Sequence, residues 1–325
     1  MDEIRWGIIG CGDVTEVKSG PAFDRIPHST LTAVMRRDAS KARDYARRHG
    51  VHRWYADADQ LIFDPEVNAI YIATPPDVHA EYTLRAAQAG KPVYVEKPMA
   101  RTYAECQTMI EVCQQAGVPL FVAYYRRCLP AFRKVKELVE CGAIGDVRLI
   151  QMRLYQPAQV GDGKAADLPW RLRPEIAGGG LFYDLGSHQL DFLDYLFGPI
   201  TQVSGQAVNQ AGLYPAEDAV TASWVHQSGV IGSGNWCFCV APEQKLDEAE
   251  ILGSQGRITF STFDNQPVCL ETANGCESFT FPRQDPVQQA LIETVVAELR
   301  GEGQCPSTGV SAARTNWVME QIINK

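Results

Sequence analysis

Three stretches of this chain combine residue types that can do chemistry at close spacing. The first is Gly10-Cys11-Gly12-Asp13-Val14-Thr15, directly after the apolar run Ile4 to Ile9. One glycine at a strand end permits a tight turn, and a second lets the backbone come close to a pyrophosphate. A helix starting there would turn its free N–H groups toward the diphosphate. Gly10, Cys11, Gly12, Asp13 and Val14 are therefore expected to line a dinucleotide cradle. The third position of this pattern is usually Gly or Ala, and Thr15 departs from it. A tight turn without a ligand is the reading that glycines alone leave open. The residue after the second strand reports on the ribose, an acid suiting the 2′-hydroxyl of NAD and an arginine the 2′-phosphate of NADP. Leu31 to Met35 is followed by Arg36-Arg37-Asp38. Arg36 stands where the acid would be, so NADP is the expected cofactor, with NAD possible. Two solvated arginines, with Asp38 capping the next helix, are the plainer alternative.

The second stretch is split between two strand ends. Thr74-Pro75-Pro76 follows the strongly β run Ala69 to Ala73, with His79 three residues on. Glu96-Lys97-Pro98 ends the run Val93 to Val95. Open α/β sheets bind ligands outside the carboxyl ends of their strands, so one crevice can collect Gly10, Thr74, Pro75, His79, Glu96 and Lys97. A surface lysine is the plainer reading of Lys97. The third stretch runs from Gly178-Gly179-Gly180 through Asp184, Gly186 and His188 to Asp191. Asp184 and His188 are four residues apart and would share one face of a helix. Leu181, Leu185 and Phe192 around them are apolar, which suggests a polar pocket in an interior. A core histidine satisfied by an aspartate fits these residues equally well.

The elements that must position these groups fall into two textures. Through about Ala123, short apolar runs alternate with amphipathic stretches at Ala39 to His49, Val78 to Ala89 and Thr102 to Ala116. Gly90 and Gly117 follow the last two, where a left-handed cap favours glycine. That alternation predicts an α/β fold built on a doubly wound parallel sheet. Beyond it come a helix over Ala131 to Glu140 and a long strand over Val147 to Tyr155. A polar segment follows from Gln156 to Gly180, then a helix from Leu181 to Leu196. Repeated β runs occupy Thr201 to Phe281, with Asn274-Gly275 as a hairpin signal. Helices over Pro286 to Leu299 and Val310 to Ile323 close the chain. We expect a dinucleotide domain at 1–123 and, at 124–325, an α+β domain with a large, mostly antiparallel open sheet.

Bulk composition excludes some classes. A length of 325 residues exceeds what one core usually supports. A net charge of −9 argues against nucleic acid or an anionic membrane as partner, since both need a basic face. No apolar run reaches membrane-spanning length, and the first one leads straight into the glycine turn rather than a cleavage site. The ten cysteines form no C-x-x-C knuckles, so no metal site is expected and the thiols read as buried and reduced, in a cytoplasmic setting. Cys237 and Cys239 lie two apart, on one face of a strand.

The glycine turn, Glu96-Lys97-Pro98 and the run GGG-x3-D-x-G-x-H at Gly178 to His188, in this order and spacing, resemble the glucose–fructose oxidoreductase and inositol dehydrogenase family, Gfo/Idh/MocA. Gly142-Ala143-Ile144-Gly145 and Trp170-Arg171 add to the likeness, which covers nearly the whole chain. The resemblance implies an N-terminal Rossmann domain and a nicotinamide-dependent enzyme acting on a sugar, cyclitol or related polyol. It also implies that Lys97 and His188 form the catalytic pair, with Asp184 in the substrate pocket. Oxidising an alcohol removes a hydroxyl proton while hydride leaves carbon. A neutral imidazole can take that proton, and an ammonium can stabilise the developing charge on oxygen and keep the imidazole basic. Tyr124, Tyr125, Arg126 and Arg127, after the last strand of the first domain, and Tyr155, Trp170 and Arg171 are further substrate-contact candidates. Arg126 and Arg127 would either admit an acidic sugar or be a solvated pair. The family's sheet faces pair subunits, which implies a homodimer or homotetramer. A non-catalytic cofactor or sugar sensor, and a redox-neutral hydrolase that uses the cofactor transiently, are the alternatives on the same fold.

Overall fold

Short, almost wholly apolar runs build the first sheet. In the computed structural model, which describes residues 1–158 and 168–323, β1 (Ile4–Ile9) leads through a glycine turn into two short helices, α1 (Asp13–Val17) and α2 (Gly20–Phe23). Next come β2 (Ser29–Met35), α3 (Ala39–Arg48), β3 (Arg53–Tyr55), α4 (Ala58–Ile62) and β4 (Ala69–Ile72). Then α5 (His79–Gln88), β5 (Val93–Val95), α6 (Tyr103–Gln115) and β6 (Leu120–Val122) complete the alternation. All neighbouring strands run parallel, in the order β3-β2-β1-β4-β5-β6. Every residue of β4, β5 and β6 is buried, as a parallel sheet covered on both faces requires. Asp38 caps α3 by accepting from the Ser40 and Lys41 N–H groups, and Thr102 caps α6 by accepting from Glu105 N–H. Gly90 and Gly117 have φ of +71° and +66°, the left-handed caps that the sequence predicts. β3 and α4 lie outside the expected alternation. β3 is a three-residue edge strand with exposed Arg53 and Trp54, so it carries no apolar pattern.

The chain divides into two compact units. The first comprises Met1–Tyr125 and Gln284–Ala313, the second Arg126–Arg283 and the segment from Arg314 onward. The boundary expected at 123/124 therefore covers only the first crossing. Residues 284–313, placed with the second domain by sequence, pack with the first instead. The cause is a set of contacts far apart in sequence: Gln288 reaches Tyr94 and Glu96, and Ser307 donates to the Val122 carbonyl.

The second unit opens with α7 (Pro130–Glu140) and β7 (Val147–Pro157), continues through α8 (Pro174–Ala177) and α9 (Ser187–Phe197), and then turns to strands. These are β8 (Ile200–Val208), β9 (Ala219–His226), β10 (Ile231–Val240), β11 (Leu246–Gly253), β12 (Gly256–Phe260), β13 (Val268–Thr272) and β14 (Gly275–Phe279). They form one sheet in the order β14-β13-β12-β11-β7-β10-β9-β8, antiparallel except where β7 meets β10. The strands alternate buried and open residues, as a sheet with one covered face must. Phe132, Leu193, Trp224, Trp236, Phe260 and Met319 belong to the core on the covered face. Two helices end the chain, α10 (Gln289–Arg300) and α11 (Gly309–Ile323). Of the polar segment expected over 156–180, residues 159–167 lie outside the described residues. The helix expected from Leu181 to Leu196 is present, with its opening Phe182–Gly186 wound as a π-helical turn that runs directly into α9. Among the described residues, no helix is long and apolar enough to cross a membrane. None of the ten cysteines is in a disulfide, and Cys11, Cys106, Cys113 and Cys305 are buried, so the expectation of buried thiols holds for four of them.

Gly10 has a φ of +96°, and a Cβ there would meet Thr74 Cγ2 at 2.8 Å and the Thr74 N at 3.0 Å. Gly10→Ala should therefore lose about 1–3 kcal/mol of unfolding free energy, the usual cost of a side chain held in such a conformation. Urea titration of the two proteins measures the difference, and equal midpoints would refute the close-approach argument.

Candidate active site

Within the first unit, the carboxyl ends of β1, β2, β4 and β5 collect the expected groups. The N–H groups of Gly10 and Cys11 both donate to the Met35 carbonyl at the end of β2, at 2.9 and 3.2 Å. Gly12 caps α1, and Asp13 and Val14 stand in that helix's first turn, where backbone N–H groups lack helical acceptors. Thr15 is fully buried, donates to the Gly12 carbonyl, and accepts through its own carbonyl from the Tyr45 hydroxyl. The departure from Gly or Ala is thus absorbed in the turn's own packing. Arg36 follows β2 and donates from Nη1 to the Cys11 carbonyl at 3.1 Å, so its guanidinium stands beside the turn. Arg37 is exposed. Asp38, two residues after Arg36, is occupied as the α3 cap.

A dinucleotide fits these residues. A Cβ on Gly12 would meet only the Gly10 carbonyl, at 3.9 Å, so the turn is open there. Thr74 Oγ1 is buried and has no hydrogen-bond partner among the described residues. A buried hydroxyl of that kind is costly unless something pairs with it.

Two of the expected cofactor residues face inward instead. His79 is fully buried, with Nε2 at 2.8 Å from the Thr74 carbonyl and Nδ1 at 3.2 Å from those of Pro98 and Met99. It ties the Thr74-Pro75 loop to the Lys97 loop. Glu96 is buried, and its carboxylate accepts from Tyr71, Gln288 and the Lys97 backbone N–H. The sequence placed both at the right strand ends, but side-chain direction depends on neighbours distant in the chain. Lys97 is half-buried, one residue beyond that inward glutamate. Tyr124 and Tyr125 follow β6 and are buried.

In the second unit the motif residues converge on α9 and the turn before it. Gly178 ends α8 in the left-handed conformation at φ +86°. Gly180 N–H donates to Glu217 Oε1 at 2.7 Å. Burial raises the Glu217 carboxyl, a residue whose isolated place in the sequence gave no signal. Asp184 lies in the π-helical turn and accepts from Arg171 Nε at 3.1 Å, while the Arg171 guanidinium stacks 4.2 Å from the Trp170 ring centroid. Three residues named separately by the sequence thus form one cluster. His188, in the first turn of α9, is buried with its ring edge-on to Phe263 at 6.1 Å. Phe263 also lies under the Arg126 guanidinium, at 4.4 Å. Its loop is fixed by Asp247, whose carboxylate accepts from the Thr262, Phe263 and Asp264 N–H groups.

The two arginines are buried, which overturns the solvated-pair reading. Arg127 forks onto Asp191 at 2.8 and 2.6 Å, both side chains almost fully buried, so it anchors α9. Burial pushes the Asp191 carboxyl up, against the pull of Arg127. Tyr155 is on the sheet. It lines a cavity of about 400 Å³ on the sheet with Gln206, Thr221, Asn235 and Cys237.

A six-stranded parallel sheet with a glycine turn at the end of β1, and a second unit built on an eight-stranded, mostly antiparallel sheet, together form an α/β fold. Residues 4–124 match the oxidoreductase family with an NAD-binding Rossmann fold, and residues 132–259 match the GFO/IDH/MocA C-terminal domain. An oxidoreductase of Formosa agariphila is 37% identical over 98% of this chain and 97% of its own length. The 1,5-anhydro-D-fructose reductase of Ensifer adhaerens is 30% identical over 94% of this chain and 91% of its own. The structure of aldose–aldose oxidoreductase from Caulobacter crescentus, complexed with glycerol, superposes with a TM-score of 0.85 at 26% identity, covering 98% of this chain and 96% of that one. The chain belongs to the Gfo/Idh/MocA oxidoreductase family.

Burial holds the folded pKa of both His79 and His226 below the ordinary histidine value. The unfolded chain then binds protons that the folded one refuses. This stabilising difference is fully present above the unfolded pKa of ~6.5 and is lost as pH falls through the folded values. Unfolding free energy should drop below pH ~6.5 by up to ~1.4 kcal/mol per pH unit for each histidine. Urea unfolding across pH 5.5 to 7.5 tests this. His226→Gln should flatten the slope by one proton, and an unchanged slope would refute the assignment.

Proposed function

We propose that the chain is an NADP(H)-dependent dehydrogenase or reductase that interconverts CH–OH and carbonyl on a sugar, cyclitol or related polyol. The observation that carries this reading is Lys97, held at the carboxyl end of β5 in the same sheet end as Gly10, Gly12 and Thr74. Gly10, Cys11, Gly12, Asp13, Val14, Arg36, Thr74 and Pro75 would hold the cofactor. Bound there, the nicotinamide supplies hydride exchange. His188 takes the substrate hydroxyl proton, or returns it in the reverse direction. Lys97 has the chemistry to donate a hydrogen bond to a reacting oxygen and stabilise its negative charge. Asp184, tethered by Arg171, accepts from a neighbouring hydroxyl, with Trp170 and Arg126 as further contact candidates of the same unit. The sugar class is supported by the Ensifer adhaerens relative named for an anhydrofructose.

The preference for NADP rests on Arg36 beside the turn and on Asp38 being engaged as a cap. We also propose a homodimer or homotetramer joined through the open face of the second unit's sheet, where Val208 and Ile231 are about half exposed, at 48% and 49%. Ten cysteines outside any disulfide support a reducing, cytoplasmic setting.

Lys97→Ala and His188→Ala should each lower kcat by ~10²–10⁴-fold on a responsive polyol. Turnover undiminished in the double variant would sink the assigned roles. Fluorescence titration should show NADPH binding more tightly than NADH, and Arg36→Asp should lose ~10–100-fold of that NADPH affinity, the worth of one charged hydrogen-bonding group. Equal affinities in the native protein would overturn the cofactor preference.

A further inference from the structure

We propose that Gln288 and Tyr71 are positioning residues for Lys97, acting through the buried carboxylate of Glu96. The inference rests on the catalytic reading of Lys97 given above. It starts from a carboxylate with only 7% of its residue exposed at the end of β5. Its two oxygens do different work. Oε1 accepts from the Tyr71 hydroxyl and from Gln288 Nε2, both at 2.6 Å. Oε2 accepts from the Lys97 backbone N–H at 3.2 Å. One oxygen is therefore anchored to β4 and to the returning segment, and the other holds the backbone of the lysine.

Gln288 is suited to this by having a donor and an acceptor on one planar group. It is 1% exposed. Its Oε1 accepts from the Tyr94 hydroxyl at 2.8 Å, which fixes the amide so that Nε2 points at Glu96. Its backbone N–H donates to the Lys18 carbonyl at 3.1 Å, just past α1. Tyr71 Oη also lies 3.0 Å from Ser19 Oγ. The network thus joins the segment after the glycine turn, two central strands and the returning chain around one carboxylate. The charged and titratable groups that face it are Tyr71 from β4, Tyr94 and Lys97 from β5 and its end, and His79 from α5. A buried network of this kind fixes geometry only when every member is satisfied. Misplacing a catalytic group by 1 Å can cost ~10²-fold in rate. A residue 191 positions after Lys97 in the chain is therefore part of what sets its position.

The decisive variant is Gln288→Glu, which keeps shape and changes chemistry. Protonated, its carboxyl O–H donates to Glu96 as the amide did. Ionised, it sets two carboxylates against each other, so the pair resists losing its last proton and repels once it does. Turnover of Gln288→Glu relative to the native enzyme should be close to one at pH 6 and fall at least ~10-fold by pH 9, with substrate KM changed less than ~3-fold. Gln288→Leu should lower kcat ~10–100-fold at every pH. Tyr71→Phe, which keeps the ring and removes one donor, should lower kcat ~3–10-fold at unchanged KM. Thermal melts separate these effects from loss of fold. If Gln288→Glu does not fold, Tyr71→Phe decides the question by the same split between kcat and KM. Lys97→Ala is assayed alongside. If it retains turnover, the catalytic reading fails whatever Gln288 does. If it is inactive while Gln288→Glu follows the native pH profile, or Tyr71→Phe matches native kcat, the positioning proposal is overturned.

Discussion

A parallel sheet buried on both faces leaves its polar chemistry one place to go. In the first unit, β4, β5 and β6 have no exposed residue, so every functional group must come from the loops at the strand ends. Because the strands are parallel, all their carboxyl ends lie along one edge. The Gly10 turn, Arg36, Thr74 and Lys97 are neighbours for that reason alone. The loops at this edge are themselves partly buried, and buried backbone carbonyls need donors. His79 meets part of that need, its ring lying between the Thr74 carbonyl and those of Pro98 and Met99 with one N–H to donate on one side.

The same requirement explains why the charged residues nearest the expected chemistry face inward. Glu96, Arg127 and Asp191 are ionisable groups in places that exclude water, and each is tolerated because its hydrogen-bonding capacity is engaged. Breaking a buried pair such as Arg127–Asp191 from one side costs about 3–5 kcal/mol, so it acts as a fixed strut between the turn after β6 and the helix that carries His188. Gln189 adds a second strut, accepting from the Trp236 indole and donating to Thr262. His188 is thus carried by a helix anchored at Gln189 and at Asp191. The proton-acceptor role proposed for His188 would gain from this, since such a rate depends on geometry kept within fractions of an ångström.

Much of this was legible in the sequence because it is local. The alternation of apolar runs with amphipathic stretches gave the order of elements, and Gly10, Gly90, Gly117 and Gly178 stand where the chain turns left-handed. The edge strand β3 was not legible, since its exposed residues carry no pattern. The π-helical turn over Phe182–Gly186 was not legible either, because its spacing differs from an α-helix by one residue per turn. The cluster of Trp170, Arg171 and Asp184 was named residue by residue, yet its pairing is set by how the turn before α9 meets the short helical turn at Trp170–Leu172.

The sequence by itself determined the parallel and antiparallel sheets, the cofactor turn, the family, and the positions of Lys97, Asp184 and His188, since each depends on residue type and spacing along a few tens of residues. The tertiary structure decided which way the side chains at those positions face. It turned Glu96 and His79 inward, paired Arg127 with Asp191, and returned residues 284–313 to the first unit so that Gln288 could reach Glu96. The physical reason is that a buried charge or hydrogen-bonding group takes its partner from whatever segment folds against it, and that partner can lie almost two hundred residues away.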